Sequence, residues 1–374
     1  MTKILQLAKT YPGTGGVERV ALDILDGIPG SGMQCDMLCA NDDNVKPATT
    51  YQLGSDVRII CLRKAATKFS TPIVPSMLRV LRRICNSYDI IHIHHPNPMT
   101  TFALWMSGYK GKVIVHWHSD IRKQRHLLRL YMPLQNWLLR RADAIIGTSP
   151  VYIDGSPHLA KFRSKCVSVP IGISPVQPDE KTVAIIRQRY KGKKIVFALG
   201  RLVYYKGFRY LIDAAAELPD NYIVLIGGDG ELRKELQQQI DSKRLDGKVK
   251  LLGFVSDADV AAYYGACDIY CLSSVMKTEA FAIVQLEAMS CGKPIVATNI
   301  PDSGVSWVNA HGVSGLNVNV KDSHALAVAM TKIIEDPALY NTLSVGARNR
   351  FNTLFRKEKM NNKVIALYKH LSEE

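Results

Sequence analysis

Apolar and polar positions alternate between two periods from the first residues on. Residues 3–8 (KILQLA) read as a strand, 13–16 (GTGG) as a turn and 17–28 (VERVALDILDGI) as an amphipathic helix. Strands are expected again at 34–40 and 57–62, then a basic helix over 75–86 (PSMLRVLRRICN). The runs 89–95 (DIIHIHH) and 112–118 (KVIVHWH) are β-rich almost throughout, as in strands buried on both faces of a parallel sheet. Residues 142–149 and 166–171 continue the series. The rhythm lapses after 173, where prolines and polar residues (ISPVQPDEKTV) mark a linker and a short charged helix. It restarts with strands at 194–200, 221–228, 249–255, 268–273, 294–299 and 315–318. Helices are expected at 208–218, 231–243 and near 257–266, 280–291 and 323–335, with a helical stretch over 339–372.

Repeated strand–helix alternation predicts the α/β class, here two doubly wound, Rossmann-like parallel sheets. The expected division is 1–172, a linker and start of the second domain at 173–194, a second domain over 195–355, and a C-terminal helix at 356–374 that can return to the first domain. Ligands of such sheets bind beyond the carboxyl ends of the strands, so two facing sheets predict an interdomain cleft.

The length of 374 residues fits two domains. No apolar run is long enough to span a bilayer, and the N-terminal run is too short for a signal peptide, so a cytoplasmic location is expected. The eight cysteines stand singly and are read as buried packing residues. The net charge of +15 is uneven. Residues 1–172 carry 22 Lys and Arg against 11 Asp and Glu, a balance of +11, and the remainder carries 26 against 22. Between Asp56 and Asp89 lie Arg58, Arg63, Lys64, Lys68, Arg79, Arg82 and Arg83 with no acid among them. Such a block suits an anionic partner (membrane surface, nucleic acid or phosphorylated substrate) or a solvated face.

Three loops carry candidate chemistry. The glycines of 13–16 allow a ligand close to the start of a helix, whose free N–H groups attract anions. The dinucleotide fingerprint fails, because Glu18 stands at its third glycine position. Asp36 falls inside a strand, leaving Asp42 or Asp43 at the strand end. After the strand at 194–200, Arg201 and Lys206 place two cations where a diphosphate can be held and its departing charge neutralised. In 277–289 (KTEAFAIVQLEAM), Glu279 and Glu287 are eight residues apart, which on one helix puts both carboxylates on one face. Buried acids suit sugar hydroxyls, and the helix start near Phe281–Ile283 offers N–H groups to a phosphate.

His92, His94, His95, His116 and His118 end two strands. As a zinc site they lack a cysteine or carboxylate to complete the set, and strand alternation parts His94 from His95. The single DxD, Asp257-Ala258-Asp259, sits at a helix start, where capping accounts for it.

The segment 279–298 (EAFAIVQLEAMSCGKPIVAT) resembles the E-x7-E signature of retaining, GT-B glycosyltransferases of family 4. Residues 200–215 (GRLVYYKGFRYLIDAA) resemble that family's diphosphate loop, and 13–25 its glycine loop; 226–236 and 251–255 match further segments in order. The resemblance implies that Glu279 binds the donor sugar's hydroxyls and Glu287 the ribose. It implies that Arg201 and Lys206 hold the diphosphate with backbone help from Phe281, Ala282 and Ile283, while Gly15 and Gly16 pass near the donor phosphate. His118 would contact the transferred sugar near the reacting carbon. No cofactor or metal is implied, and transfer would proceed by front-face attack with retention. Residues 278–316, from TEAF onward, look like bacterial transferases of mannose and related sugars, giving GDP-mannose first and a UDP-sugar second. The N-domain would hold the acceptor, a lipid-linked or other saccharide of surface polysaccharide (O-antigen or lipopolysaccharide) assembly. Its basic block and the basic-aromatic stretch 123–141 suit peripheral contact with an anionic membrane, although 123–141 reads equally as a core helix. A nucleotide-sugar epimerase or a phosphorylase lacks its expected acid/base pair or cofactor lysine. A nucleic-acid binder leaves Glu279 and Glu287 unexplained, and no nucleic-acid partner is expected.

Overall fold

The β-branched, near-continuous apolar runs fold as central strands because helices cover both faces of each sheet. In the computed structural model the described residues are 1–13, 15–42, 47–68, 71–121 and 125–373. The chain forms two units, Met1–Gly172 with Lys357–Glu374, and Ile173–Arg356.

The first unit contains β1 (Thr2–Tyr11), α1 (Gly16–Asp26), β2 (Met33–Asn41), β3 (Thr49–Gln52), β4 (Val57–Leu62), β5 (Ala66–Lys68), β6 (Thr71–Ile73) and α2 (Ser76–Ile84). It continues through β7 (Ile90–His95), α3 (Pro98–Ser107), β8 (Lys112–Trp117), α4 (Arg125–Arg141), β9 (Ala144–Gly147), α5 (Pro150–Gly155) and β10 (Cys166–Ser168). Its eight-stranded sheet has the order β10-β9-β8-β7-β1-β2-β4-β3, parallel except for β3 against β4. Strand β3 and the β5–β6 hairpin were not expected. They are three or four residues long and largely polar, so they carry no periodic signal.

The second unit contains α6 (Glu180–Arg189), β11 (Lys194–Leu199), α7 (Phe208–Glu217), β12 (Tyr222–Gly227), α8 (Arg233–Ser242), β13 (Val249–Gly253), α9 (Asp257–Ala266) and β14 (Ile269–Leu272). It ends with α10 (Ile283–Ser290), β15 (Ile295–Asn299), α11 (Val305–Val308), β16 (Gly315–Asn319), α12 (Ser323–Glu335) and α13 (Pro337–Arg350). Its parallel sheet has the order β13-β12-β11-β14-β15-β16. One face packs Val196, Ala198, Val224 and Ile226 against Leu211, Ile212 and Met330 of α7 and α12.

The helical stretch expected over 339–372 is broken. Phe351–Phe355 widens into a π-turn and Arg356 is extended (φ −74°, ψ 143°), so the last helix, α14 (Lys357–Glu373), starts afresh in the first unit. Ile173 bridges Arg356 and donates its N–H to the Phe355 carbonyl at 2.9 Å, pinning the two ends of the second unit together. Asn361 of α14 donates to the Asp23 carbonyl of α1 at 2.8 Å, and Tyr368 is fully buried. All eight cysteines are free; Cys166 and Cys291 are half-buried rather than buried as expected, because each lies at an element end.

Candidate active site

In the second sheet β11 is central: the chain runs outward through β12 and β13, then returns to lay β14 on the other side. This reversal lies between β11 and β14, and sheets of this kind bind ligands beyond the carboxyl ends of the strands at such a reversal. The loop after β11 carries Arg201 and Lys206, and the segment after β14 carries Ser274 and Glu279. Gly207 holds the loop in place. Its φ is +67°, and a Cβ there would lie 2.1 Å from the Ser273 carbonyl oxygen, so only glycine lets the two segments touch.

The two segments are joined by a buried ion pair. Lys206 Nζ lies 2.6 Å from Glu279 Oε2, and the Ser274 hydroxyl donates to the same oxygen at 3.0 Å. Lys206 and Glu279 are 9% and 8% exposed. Burial pushes the Lys206 ammonium pKa down, but the charge and hydrogen bond of Glu279 outweigh it and the net shift is upward. Arg201 is exposed, forms no ion pair among the described residues, and its charge opposes that of Lys206.

Glu279 and Glu287 do not share a helical face as the spacing suggested. The helix begins only at Ile283, and Glu279 lies in the loop before it. Ala282 is the reason: at φ 64°, ψ 75° it is left-handed, and an L-residue there cannot extend a right-handed helix backward. Glu287 lies in the second turn of α10, where Oε2 accepts from the Tyr264 hydroxyl at 2.7 Å. The two acids still act on one place: burial first, and then the Glu287 and Glu279 charges, raise the pKa of the buried Tyr270 phenol well above its ordinary value. Phe281 and Ala282 precede α10 and Ile283 opens it; the first N–H groups of a helix have no partner within it.

Tyr264 and Ser274 were not singled out from sequence. They lie 23 and five residues from the acids they bond, and neither offset is a recognisable motif. The Asp257-Ala258-Asp259 stretch opens α9, but its cap is Ser256, which receives the Asp259 N–H at 3.2 Å.

In the first sheet the order reverses between β1 and β7. Gly15 caps α1 and Gly16 begins it, both exposed. The glycines here have a steric role: a Cβ at Gly13 would lie 2.6 Å from Glu18 Cγ, and one at Gly15 2.2 Å from Glu18 Oε2. The Glu18 side chain thus folds back over the loop. Asp36 is interior, bound by Arg58 at 2.5 Å and by the Tyr88 hydroxyl at 2.6 Å. Asp42 pairs with Lys64 at 3.7 Å, and Asp43 lies outside the described residues.

Strand register sets His94 opposite His116, so His92, His94, His116 and His118 form a two-by-two stack on one face. His95 falls on the other face, stacked on Trp117 at 3.8 Å. His118, just past β8, bonds His94 Nδ1 through Nε2 at 3.0 Å. Candidate ligand atoms of His92, His94 and His116 lie within 4.8 Å of one another. His94, however, already uses both ring nitrogens, Nδ1 toward His118 at 3.0 Å and Nε2 toward Gln6 at 2.8 Å, so it keeps no lone pair for a zinc ion. A groove of 640 Å³ near Met1, Asp89 and Lys112 lies at the amino ends of the strands, away from these groups.

Residues 14–175 match the model of Glycosyltransferase Family 4, and residues 180–350 that of Glycosyl transferases group 1. The chain is 31% identical over 377 residues to O-antigen chain mannosyltransferase C of Escherichia coli, covering 99% of both chains. It is 30% identical to the D-rhamnosyltransferase WbpZ of Pseudomonas aeruginosa, covering 94% of this chain and 92% of the other. Among solved structures, Anabaena Alr3699/HepE in complex with UDP-glucose superposes with a TM-score of 0.77 at 22% identity, covering 100% of both. A full-length match at this identity makes the chain a member of the family 4, GT-B glycosyltransferases.

Proposed function

We propose that this protein transfers a hexose, with retention of anomeric configuration, from a nucleotide-diphosphate sugar to a lipid-linked or other saccharide acceptor in bacterial O-antigen or lipopolysaccharide assembly. GDP-mannose is the first donor: the similar proteins named above act on mannose and on D-rhamnose, which is mannose without its 6-hydroxyl. A UDP-sugar is the alternative, in keeping with the UDP-glucose complex of HepE.

The observation that carries this reading is the Lys206–Glu279 contact at the end of the central strand, with Arg201 beside it uncommitted. A carboxylate for sugar hydroxyls and two cations for a diphosphate are what a sugar nucleotide requires. Glu279 takes the donor sugar, Glu287 the ribose, and Arg201 and Lys206 the diphosphate, assisted by the N–H groups of Phe281, Ala282 and Ile283. No metal is called for. In the first unit, His118 is assigned to the transferred sugar and Gly15 and Gly16 to the donor phosphate. The acceptor hydroxyl attacks the anomeric carbon on the leaving-group side. The bond to the diphosphate breaks as the new one forms, and the diphosphate takes the hydroxyl proton. Arg201 and Lys206 stabilise the charge that develops on it.

An anionic membrane is proposed as a partner of the first unit. Arg79, Arg82 and Arg83 are exposed on α2 and make no ion pair among the described residues. Helix α3, packed against α2, presents Phe102, Trp105 and Met106 to solvent at i, i+3 and i+4. Aromatic side chains flanked by arginines suit the headgroup layer. Among the described residues no helix is long and apolar enough to cross a membrane.

Turnover against a panel of GDP- and UDP-sugars, each with and without EDTA, tests the reading. Transfer from GDP-mannose that survives EDTA is expected. Transfer only from UDP-sugars moves the donor to the alternative, and strict metal dependence defeats the diphosphate assignment.

A further inference from the structure

Of the buried polar groups in the first unit, one set is wired in a single direction. Cys35 of β2 directs its thiol toward the Asp36 carbonyl at 3.9 Å, leaving its sulfur to accept. Gln6 of β1 donates Nε2–H to that sulfur at 3.6 Å, so Gln6 Oε1 faces His94 Nε2, 2.8 Å away. A carbonyl oxygen only accepts, so His94 carries its proton on Nε2. A neutral imidazole has one N–H, so His94 Nδ1 is an acceptor, and the group it meets at 3.0 Å, His118 Nε2, is the donor. Gln6, His94 and Cys35 are fully buried and His118 is 6% exposed, so water does not compete for these bonds. The neighbouring rings add no charge. His92 bonds the buried Tyr368 hydroxyl at 2.6 Å, and His116 stacks on His118 at 4.1 Å with neither of its nitrogens bonded. His118 Nδ1 has no partner among the described residues.

We propose that Gln6 and His94 are positioning residues that lock His118 as the Nε2–H tautomer, so that its bare Nδ1 accepts a hydrogen bond from a hydroxyl of the transferred sugar. The second half rests on the assignment of His118 to that sugar; the first half does not. The wiring crosses four adjacent strands, β2, β1, β7 and the end of β8, and ties the glycine-loop strand to the histidine strand. Depressed basicity is consistent with it: burial alone takes His94 to about 3. A working histidine oriented this way loses its tautomer, not its presence, when the relay is cut.

Long-range proton–nitrogen NMR of histidine-labelled protein reads the tautomer directly, with the His118 signals identified by their loss in His118→Gln. The wild-type protein is expected to show Nε2–H at His118. Gln6→Leu, which keeps the buried volume, is expected to mix or invert that tautomer and lower kcat by about tenfold or more, by analogy with the loss of a partner that orients a metal-bound histidine, with KM little changed. Nδ1–H or an imidazolium at His118 in the wild type, or a tautomer unmoved by Gln6→Leu, overturns the inference. Full turnover in His118→Ala defeats the donor contact and leaves the tautomer measurement to stand or fall separately.

Discussion

At the scale of single residues, the two cations of the second unit differ in what they hold. Lys206 neutralises a buried carboxylate, so Lys206→Ala is expected to cost about 3–5 kcal/mol of stability, as when one partner of a buried pair is removed. Arg201 is exposed and unpaired, so Arg201→Ala is expected to change stability by no more than ~0.5 kcal/mol. Both should lower donor turnover by ~10²–10³. Urea unfolding beside a donor assay separates the two effects, and near-normal turnover in both variants removes the diphosphate role. Ala282 invites the opposite change. Its left-handed backbone costs an L-residue about 1–2 kcal/mol that glycine avoids, partly offset by the entropy of glycine in the unfolded chain. Ala282→Gly should therefore be neutral or stabilising by up to ~1 kcal/mol, and Ala282→Val clearly destabilising. A midpoint lowered by glycine would show that the strain is not there.

At the scale of elements, α3 and α14 make claims that no single residue makes. The exposed Phe102 and Trp105 rings lie 5.8 Å apart on α3, the helix that packs against α2. Sedimentation with phosphatidylglycerol vesicles should capture the protein at low salt. Trp105→Glu should weaken capture at all salt concentrations, and Arg79→Glu with Arg82→Glu mainly at low salt, since screening acts on the charge component alone. Equal binding by all variants would exclude this face. The final helix carries Tyr368 into the first unit, where its hydroxyl holds His92. Tyr368→Phe leaves a buried nitrogen unpaired and should cost about 1–3 kcal/mol.

At the scale of the molecule, the buried histidines link folding to pH. Burial takes His94 and His95 down to about 3, and His92, His116 and His118 are lowered well below 6.5 as well. An unfolded histidine titrates near ~6.5, so below that pH the unfolded chain binds protons that the folded chain refuses. Stability is thus full above about 6.5 and is lost as pH falls toward 3. His94 and His95 alone should remove about 4 kcal/mol by pH 5, at ~1.4 kcal/mol per group and pH unit. Urea midpoints at pH 7.5 and pH 5 measure this; equal midpoints would mean that these rings take up protons while folded.

The two sheets, the loop cations at 201 and 206 and the acids at 279 and 287 were legible in the sequence, because each depends on local period or on offset from a strand end. A run such as KIVFALG has few ways to be buried other than as a central strand, and the loop that follows it must emerge at the carboxyl edge. What local pattern cannot carry is which distant groups meet and where a regular element is interrupted. Helix α10 starts three residues late because of one left-handed alanine, and the helical stretch from 339 breaks at Arg356 so that α14 returns to the first unit. The bonds of Lys206 to Glu279, Tyr264 to Glu287, and Gln6 through His94 to His118 join residues 73, 23 and up to 88 positions apart. The chain by itself determined which side chains stand at the ends of its strands, since that follows from neighbours along the backbone. Only the tertiary structure decided how those side chains pair, because pairing depends on the order in which the strands lie side by side.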